Sequence, residues 1–275
     1  MLYFDFEPIG KRTSRVGLGC GRLVGRSSAR ESAKVVEVAL ELGIRYFDVA
    51  PSYGMGTAEE VLGAVIGAAP EVTIATKVGV PRPPYSAKAD AVRRLAKPIL
   101  DRVRVLKTAA QRVVRRTSQS SEERPRYDFS AGGIRASLET SLQMLRRGSV
   151  DVFLAHEPHR MDVCGEVAAR FERLRAEGLI AAFGVGIGAV GDRWGRFGSI
   201  WQSCWPGHAA REYAQDVAYV WHGAIRALHT GPRKSGQLRP SAVVRQVLMD
   251  SPTSILLVSA STPGKLKDLL REIGS

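Results

Sequence analysis

Four side chains suited to proton transfer stand at the ends of apolar, strand-like runs: Asp48, Tyr53, Lys77 and His156. The mostly apolar run Ile44–Phe47 ends at Asp48. Pro51, Gly54 and Gly56 then impose an irregular loop, and that loop carries Tyr53. Val72–Val78 holds Lys77 near its end, and Val150–His156 finishes on an imidazole. A parallel barrel builds an active site in this way, because its buried strands deliver polar groups to one C-terminal rim. Each residue also has an ordinary reading when taken alone. Gly, Pro, Ser and Asp are common turn residues, and a lysine at a strand end is usually solvated.

The elements between these residues decide how they are placed. Residues 2–8 alternate in polarity and meet Gly10-Lys11, which predicts an N-terminal hairpin. Strands are expected near 16–20, 44–48, 72–78, 150–156, 180–186, 199–204, 217–221 and 255–259. Helical spacing recurs between most of them: after Ser27-Ser28 up to Gly43, from Thr57, over Ser130–Arg147, over 164–177, near 207–214, over 241–250 and from Pro263. Eight strands with right-handed helical crossovers close most naturally into an α/β barrel, the (β/α)8 TIM barrel. A doubly wound open sheet is the alternative, but it wants Gly-x-Gly-x-x-Gly after its first strand, and Arg22 stands where the third glycine would fall.

One stretch departs from the repeat. Residues 82–128 follow the third barrel strand, open on a proline-rich turn, and keep an apolar helical stripe from Val92 to Val113, interrupted by Pro98. Between Arg82 and Arg126 there are 13 Lys or Arg against 4 Asp or Glu, so most of the chain's net +13 lies there. The expectation is a single barrel domain over 1–275, with 82–128 as a basic helical insertion or lid. Such a charge distribution suits an acidic partner or an anionic substrate. It does not suit a uniformly basic nucleic-acid binder.

Composition excludes other classes. The 275 residues are 44% apolar, close to the roughly 250 residues of one α/β barrel. Cys20, Cys164 and Cys204 are far apart and form no Cys-x-x-Cys pair, so neither a zinc site nor a disulfide framework is expected. The N-terminus carries acids where a signal peptide needs bases, and no run approaches the roughly 18 apolar residues of a membrane span. A soluble, cytoplasmic protein is expected.

The chain resembles the aldo-keto reductases. The resemblance rests on Gly43–Gly56 followed by Glu59-Glu60 and Leu62-Gly63, on Ala75-Thr76-Lys77, and on Ser137-Leu138 through Leu145. It continues through Asp151 to His156 with Pro158, Leu174 to Gly178, and Phe183-Gly184-Val185. It implies a catalytic tetrad of Asp48, Tyr53, Lys77 and His156 that reduces an aldehyde or ketone with a nicotinamide cofactor and no metal. Tyr53 would be the general acid. Its pKa, ordinarily about 10, would be lowered by Lys77, which Asp48 would hold, while His156 would orient the carbonyl.

The resemblance also implies a cofactor site. Cys20 and Gly21 would lie near it, Gln202 would meet the carboxamide, and Trp221 would stack on the nicotinamide, with Tyr219 or His222 as the alternatives if the alignment slips. Ser259, Ser261, Lys265 and Asp268 would line the adenosine-phosphate end, and Lys265 leans the choice towards NADP, with NAD as the second option. Departures from the family are Leu269, where asparagine is usual, and Gly186-Ile187-Gly188, where an amide partner is usual. A nucleotide-binding barrel acting on an acidic partner through its basic arm is the other functional reading.

Overall fold

The computed structural model describes residues 1–24, 28–83, 127–188, 197–206, 217–225 and 239–271. The basic segment 84–126, and with it the expected lid, lies outside the described residues. So does the helix expected over 207–214.

The chain opens with an antiparallel hairpin, β1 (Tyr3–Phe6) and β2 (Lys11–Ser14), turned through Gly10 in the left-handed region. Eight parallel strands follow: β3 (Val16–Gly19), β4 (Tyr46–Asp48), β5 (Thr73–Val78), β6 (Val150–His156), β7 (Ile180–Gly186), β8 (Ile200–Cys204), β9 (Ala218–His222) and β10 (Ile255–Val258). β10 pairs with both β9 and β3, so the sheet closes into a barrel. Six α-helices are described: α1 (Ala29–Glu41), α2 (Ala58–Ile66), α3 (Ala131–Leu145), α4 (Gly165–Ala176), α5 (Pro240–Asp250) and α6 (Pro263–Arg271). The expected strands and hairpin therefore form, with bounds shifted by one or two residues.

Local chemistry explains several boundaries. Ser28 and Glu31 cap α1 reciprocally, the Ser28 hydroxyl accepting from the Glu31 N–H while the Glu31 carboxylate accepts from the Ser28 N–H. Ser130 caps α3 by accepting from the Gly133 N–H at 3.0 Å. Along each strand the side chains alternate between two cores. Outward residues such as Phe47, Phe153 and Phe183 pack beneath the helices. Inward residues, including Tyr46, Ala75, Val152, Leu154, Ile200 and Val220, fill the barrel itself. The hairpin plugs the N-terminal mouth: Phe6, 1% exposed, meets Tyr46 edge-on at 6.3 Å. With that end stoppered, the C-terminal mouth is where a ligand can enter. No helix among the described residues is long and apolar enough to cross a membrane.

Gly184 shows how tightly adjacent strands approach. A Cβ built there would stand 1.7 Å from the Ile200 carbonyl oxygen of β8. Backbone cannot move aside cheaply, so Gly184→Ala should destabilise the fold by about 1–3 kcal/mol or more. Urea denaturation checks this, and an unchanged midpoint would contradict the packing described.

Candidate active site

β4 and β5 run side by side, and the inward positions at their ends carry Asp48 and Lys77. Both are buried, at 2% and 1% exposure. The Lys77 ammonium donates to Asp48 Oδ1 and, at 3.0 Å, to the Val49 carbonyl. Burial pulls the lysine pKa down, but the Asp48 carboxylate and then Tyr53 more than offset it, so Lys77 is raised and stays charged. Thr76, the outward neighbour on β5, donates at 2.5 Å to the buried carboxylate of Glu59 on α2, which also accepts from Arg82. Arg82 donates in addition to the Gly56 carbonyl, which ties the loop after β4 to the end of β5.

Tyr53 sits on that loop. Gly54, Met55 and Gly56 all adopt left-handed backbone, with φ of 57°, 60° and 91°, and Met55 does so without the freedom of glycine. The turn folds the tyrosine back over the barrel mouth. Its ring centroid lies 5.1 Å from the Lys77 ammonium and 5.9 Å from the His156 ring, edge-on. A Cβ at Gly21 would stand 3.6 Å from the tyrosine ring, so Gly21 forms the opposite wall.

The electrostatic balance on Tyr53 differs from the sequence expectation. Burial raises its pKa, Lys77 lowers it, and the net direction is upward. The ammonium therefore limits the cost of a buried tyrosinate without making it the resting state. His156 is held neutral. Burial, then the Lys77 charge, then His222 bring its pKa down from 6.5 to about 3.

These four groups line a cleft of about 710 Å³ at the C-terminal mouth, together with Gly21, Gln202 and Ser259. The register explains why it is open. Across the sheet, His156 pairs with Gly186 and Gly186 with Gln202, so a position without a side chain separates two polar ones. A Cβ at Gly186 would already touch Lys77 Cε at 3.4 Å. Gln202 is 4% exposed, and its Oε1 has no hydrogen-bond partner among the described residues; neither has Nδ1 of His156. A buried amide oxygen without a partner among the described residues, beside a glycine floor, fits the N–H of a ligand carboxamide by its chemistry.

Of the other expected cofactor residues, Ser259 is at the cleft, as is the alternative His222, and the rest lie outside its lining. Trp221 does not line the cleft. It is 1% exposed in the outer core, stacked on Tyr219 at 4.5 Å, with its indole N–H donating to Ser251. Tyr219 shares that outer face, and His222 is the β9 side chain that reaches the cleft. Cys20 is fully buried, its thiol pKa pushed up by burial and then by Asp48. Ser259 donates at 3.1 Å to the Gly19 carbonyl at the cleft edge. Ser261 is half-buried, while Lys265 and Asp268 are exposed on α6, outside the cleft lining. Arg22 does line it.

Glu157 lines the cleft too and was not anticipated. It follows His156 with φ of 52°, a left-handed turn no sequence motif announces. Among the described residues no cluster of three His, Cys, Asp or Glu could hold a metal.

Residues 15–191 match the model of the aldo/keto reductase family. Among curated proteins, D-threo-aldose 1-dehydrogenase of a Pseudomonas species is 32% identical over 171 residues, 60% of this chain and 46% of that protein. The 6-dehydroglucose reductase of Agrobacterium fabrum is 30% identical over 179 residues, 62% and 49% of the two chains. These alignments thus span about half the length of the curated relatives. Among solved structures, an aldo-keto reductase of Bacillus halodurans shares the fold, with a TM-score of 0.68 at 18% identity, over 100% of this chain and 91% of that one.

The neutral state of His156 has a consequence for stability. Between its ordinary pKa of 6.5 and about 3, the unfolded chain binds a proton there that the folded chain does not. The stabilisation this gives is complete above 6.5 and is lost as the pH falls, by about 1.4 kcal/mol per pH unit within the window. His156→Gln should therefore lose less stability than the parent on acidification from neutral pH, measured by urea denaturation at a series of pH values. Parallel losses in the two proteins would contradict a neutral, buried imidazole.

Proposed function

Because the chain belongs to the aldo/keto reductase family, we propose that it is an NADP(H)-dependent oxidoreductase that reduces an aldehyde or ketone to an alcohol. The observation that carries the reading is the convergence, in one cleft, of a phenol, a buried ammonium–carboxylate pair and a neutral imidazole.

A nicotinamide cofactor supplies a hydride to the carbonyl carbon when bound. The protein's task is then to manage the charge that gathers on the carbonyl oxygen. In the proposed reaction Tyr53 gives its phenolic proton to that oxygen. Lys77, fixed by Asp48 and the Val49 carbonyl, faces the charge left on the phenolate. Raised by burial, the Tyr53 pKa keeps the proton in place until it is needed. His156, neutral, offers an N–H to the carbonyl oxygen without competing as an acid. Gln202 is the group that would hold the carboxamide, beside Gly186. Ser259, Ser261, Lys265 and Asp268 would serve the adenosine-phosphate end, with Lys265 favouring NADP over NAD.

A polyhydroxylated carbonyl compound derived from a sugar is the substrate class proposed. Its support is that two relatives are named for aldose and dehydroglucose chemistry, and that Glu157, Arg22 and His222 give the cleft polar walls. The net charge of +13 would additionally draw in an anionic substrate.

Fluorescence titration with NADPH and NADH, followed by turnover on a panel of sugar-derived carbonyls, tests the reading. Tyr53→Phe should lower kcat by about 10²–10⁴-fold while leaving the Kd for NADPH nearly unchanged. Failure of both nucleotides to bind, or full turnover by Tyr53→Phe, would overturn it.

A further inference from the structure

Cys204 ends β8 and His222 ends β9, and the two residues face each other in the register of the pair. Sγ of Cys204 lies 3.6 Å from Nδ1 of His222. The other ring nitrogen, Nε2, lies 2.8 Å from the Ile187 carbonyl oxygen. A carbonyl only accepts, so Nε2 carries a hydrogen. Burial lowers the His222 pKa, which leaves the ring with that single hydrogen. Nδ1 therefore presents a lone pair to the thiol. Sγ also donates to the Gly188 carbonyl at 2.9 Å, so the one thiol hydrogen has two acceptors and must turn from Gly188 to Nδ1 before the base can take it.

Cys204 is half-buried behind residues of the cleft wall. His222, Gly188 and Gly223 all line the cleft. Gln202 lies on the same side of β8 as Cys204, one pleat repeat deeper, about 7 Å along the strand. Its amide oxygen has no partner among the described residues, and the side chain is 4% exposed. A nucleophile with its base thus sits above a buried amide that needs a polar ligand. Neither Cys204 nor the His222 lone pair is used in the reaction proposed above.

We propose that Cys204 is a covalent modification site of the cleft, with His222 as its base, for small conjugated carbonyl compounds (enals, enones and acrylamides). The sulfur bonds to the β-carbon of the ligand, and the carbon–carbon π pair moves onto the α-carbon. The thiol proton passes to Nδ1 of His222 and from there to the α-carbon, which restores the neutral ring. The product is a saturated thioether, with no oxidant, reductant or leaving group. While the proton is on the ring, burial and the Lys77 charge oppose the cation, and the Ile187 carbonyl, accepting from Nε2, with the Asp48 and Glu157 carboxylates offsets part of that cost. The Gln202 amide oxygen, which lacks a donor among the described residues, accepts from the amide N–H of an acrylamide ligand.

The other cysteines are internal references. Cys20 is fully buried. Cys164 is exposed at the start of α4. On exposure alone Cys164 should react first. The test is timed labelling of the full chain with acrylamide, without added nucleotide, followed by mass-spectrometric peptide mapping. Cys204 should label at least about tenfold faster than Cys164, as expected of a thiol with a positioned base. His222→Gln keeps a donor for the Ile187 carbonyl but removes the base. It should slow Cys204 by a similar factor and leave Cys164 unchanged. Labelling of Cys204 no faster than Cys164 in the parent protein would overturn the proposal, whatever the folding of the variant; so would a parent-like Cys204 rate in His222→Gln. Neither outcome bears on carbonyl reduction, since no nucleotide is present.

Discussion

A lysine ammonium buried to 1% exposure is tolerable only beside a buried anion, and the barrel mouth is arranged around that requirement. Asp48 supplies the anion from the adjacent strand, and the Val49 carbonyl takes a second ammonium hydrogen. The pair is expensive to desolvate, so hydrophobic residues of the same volume would hold the barrel together as well or better. Its presence makes sense through what it does to Tyr53. The loop after β4 brings the phenol to the side of the cation, and the cation offsets part of the upward push that burial gives the phenol. The same charge helps keep His156 neutral, so one ammonium pushes both neighbours towards giving up a proton.

The remainder of the mouth can be understood as making room and fixing angles. Gly186 leaves the space between His156 and Gln202, and Gly21 leaves the space beside the tyrosine ring. The Glu59–Arg82 contact, with Thr76 on one side and the Gly56 carbonyl on the other, joins α2, the end of β5 and the loop that carries Tyr53. Opposite, at the ends of β8 and β9, the Cys204–His222 pair gives the wall a chemistry of its own.

Much of this was legible in the sequence, because a strand's inward positions follow from period two and strand ends converge in a closed barrel. Asp48, Tyr53, Lys77 and His156 could be placed on one rim for that reason. What could not be read depends on register and on backbone conformation. Trp221 was expected at the cofactor, but a shift of one residue along β9 exchanges the faces, which puts His222 in the cleft and Trp221 against Tyr219 and Ser251. Glu157 enters the cleft through a left-handed turn at a residue that is not glycine, and no local pattern signals that. The direction of the Tyr53 shift was missed because distance to a charge can be guessed from topology, while the extent of burial cannot. The contact between Cys204 and His222 spans 18 positions and exists only in the β8–β9 register.

The central claim is that Asp48 and Lys77 act as one buried, mutually dependent unit. A double-mutant cycle with Asp48→Asn, Lys77→Met and the double variant, followed by urea denaturation, tests it most directly. Each single change should cost about 3–5 kcal/mol, because it strands the other partner. The double variant should be far less destabilised than the sum, with a coupling of about 2 kcal/mol or more. Costs that add to within about 0.5 kcal/mol would mean that the two side chains are independent, and the account of the site would fail.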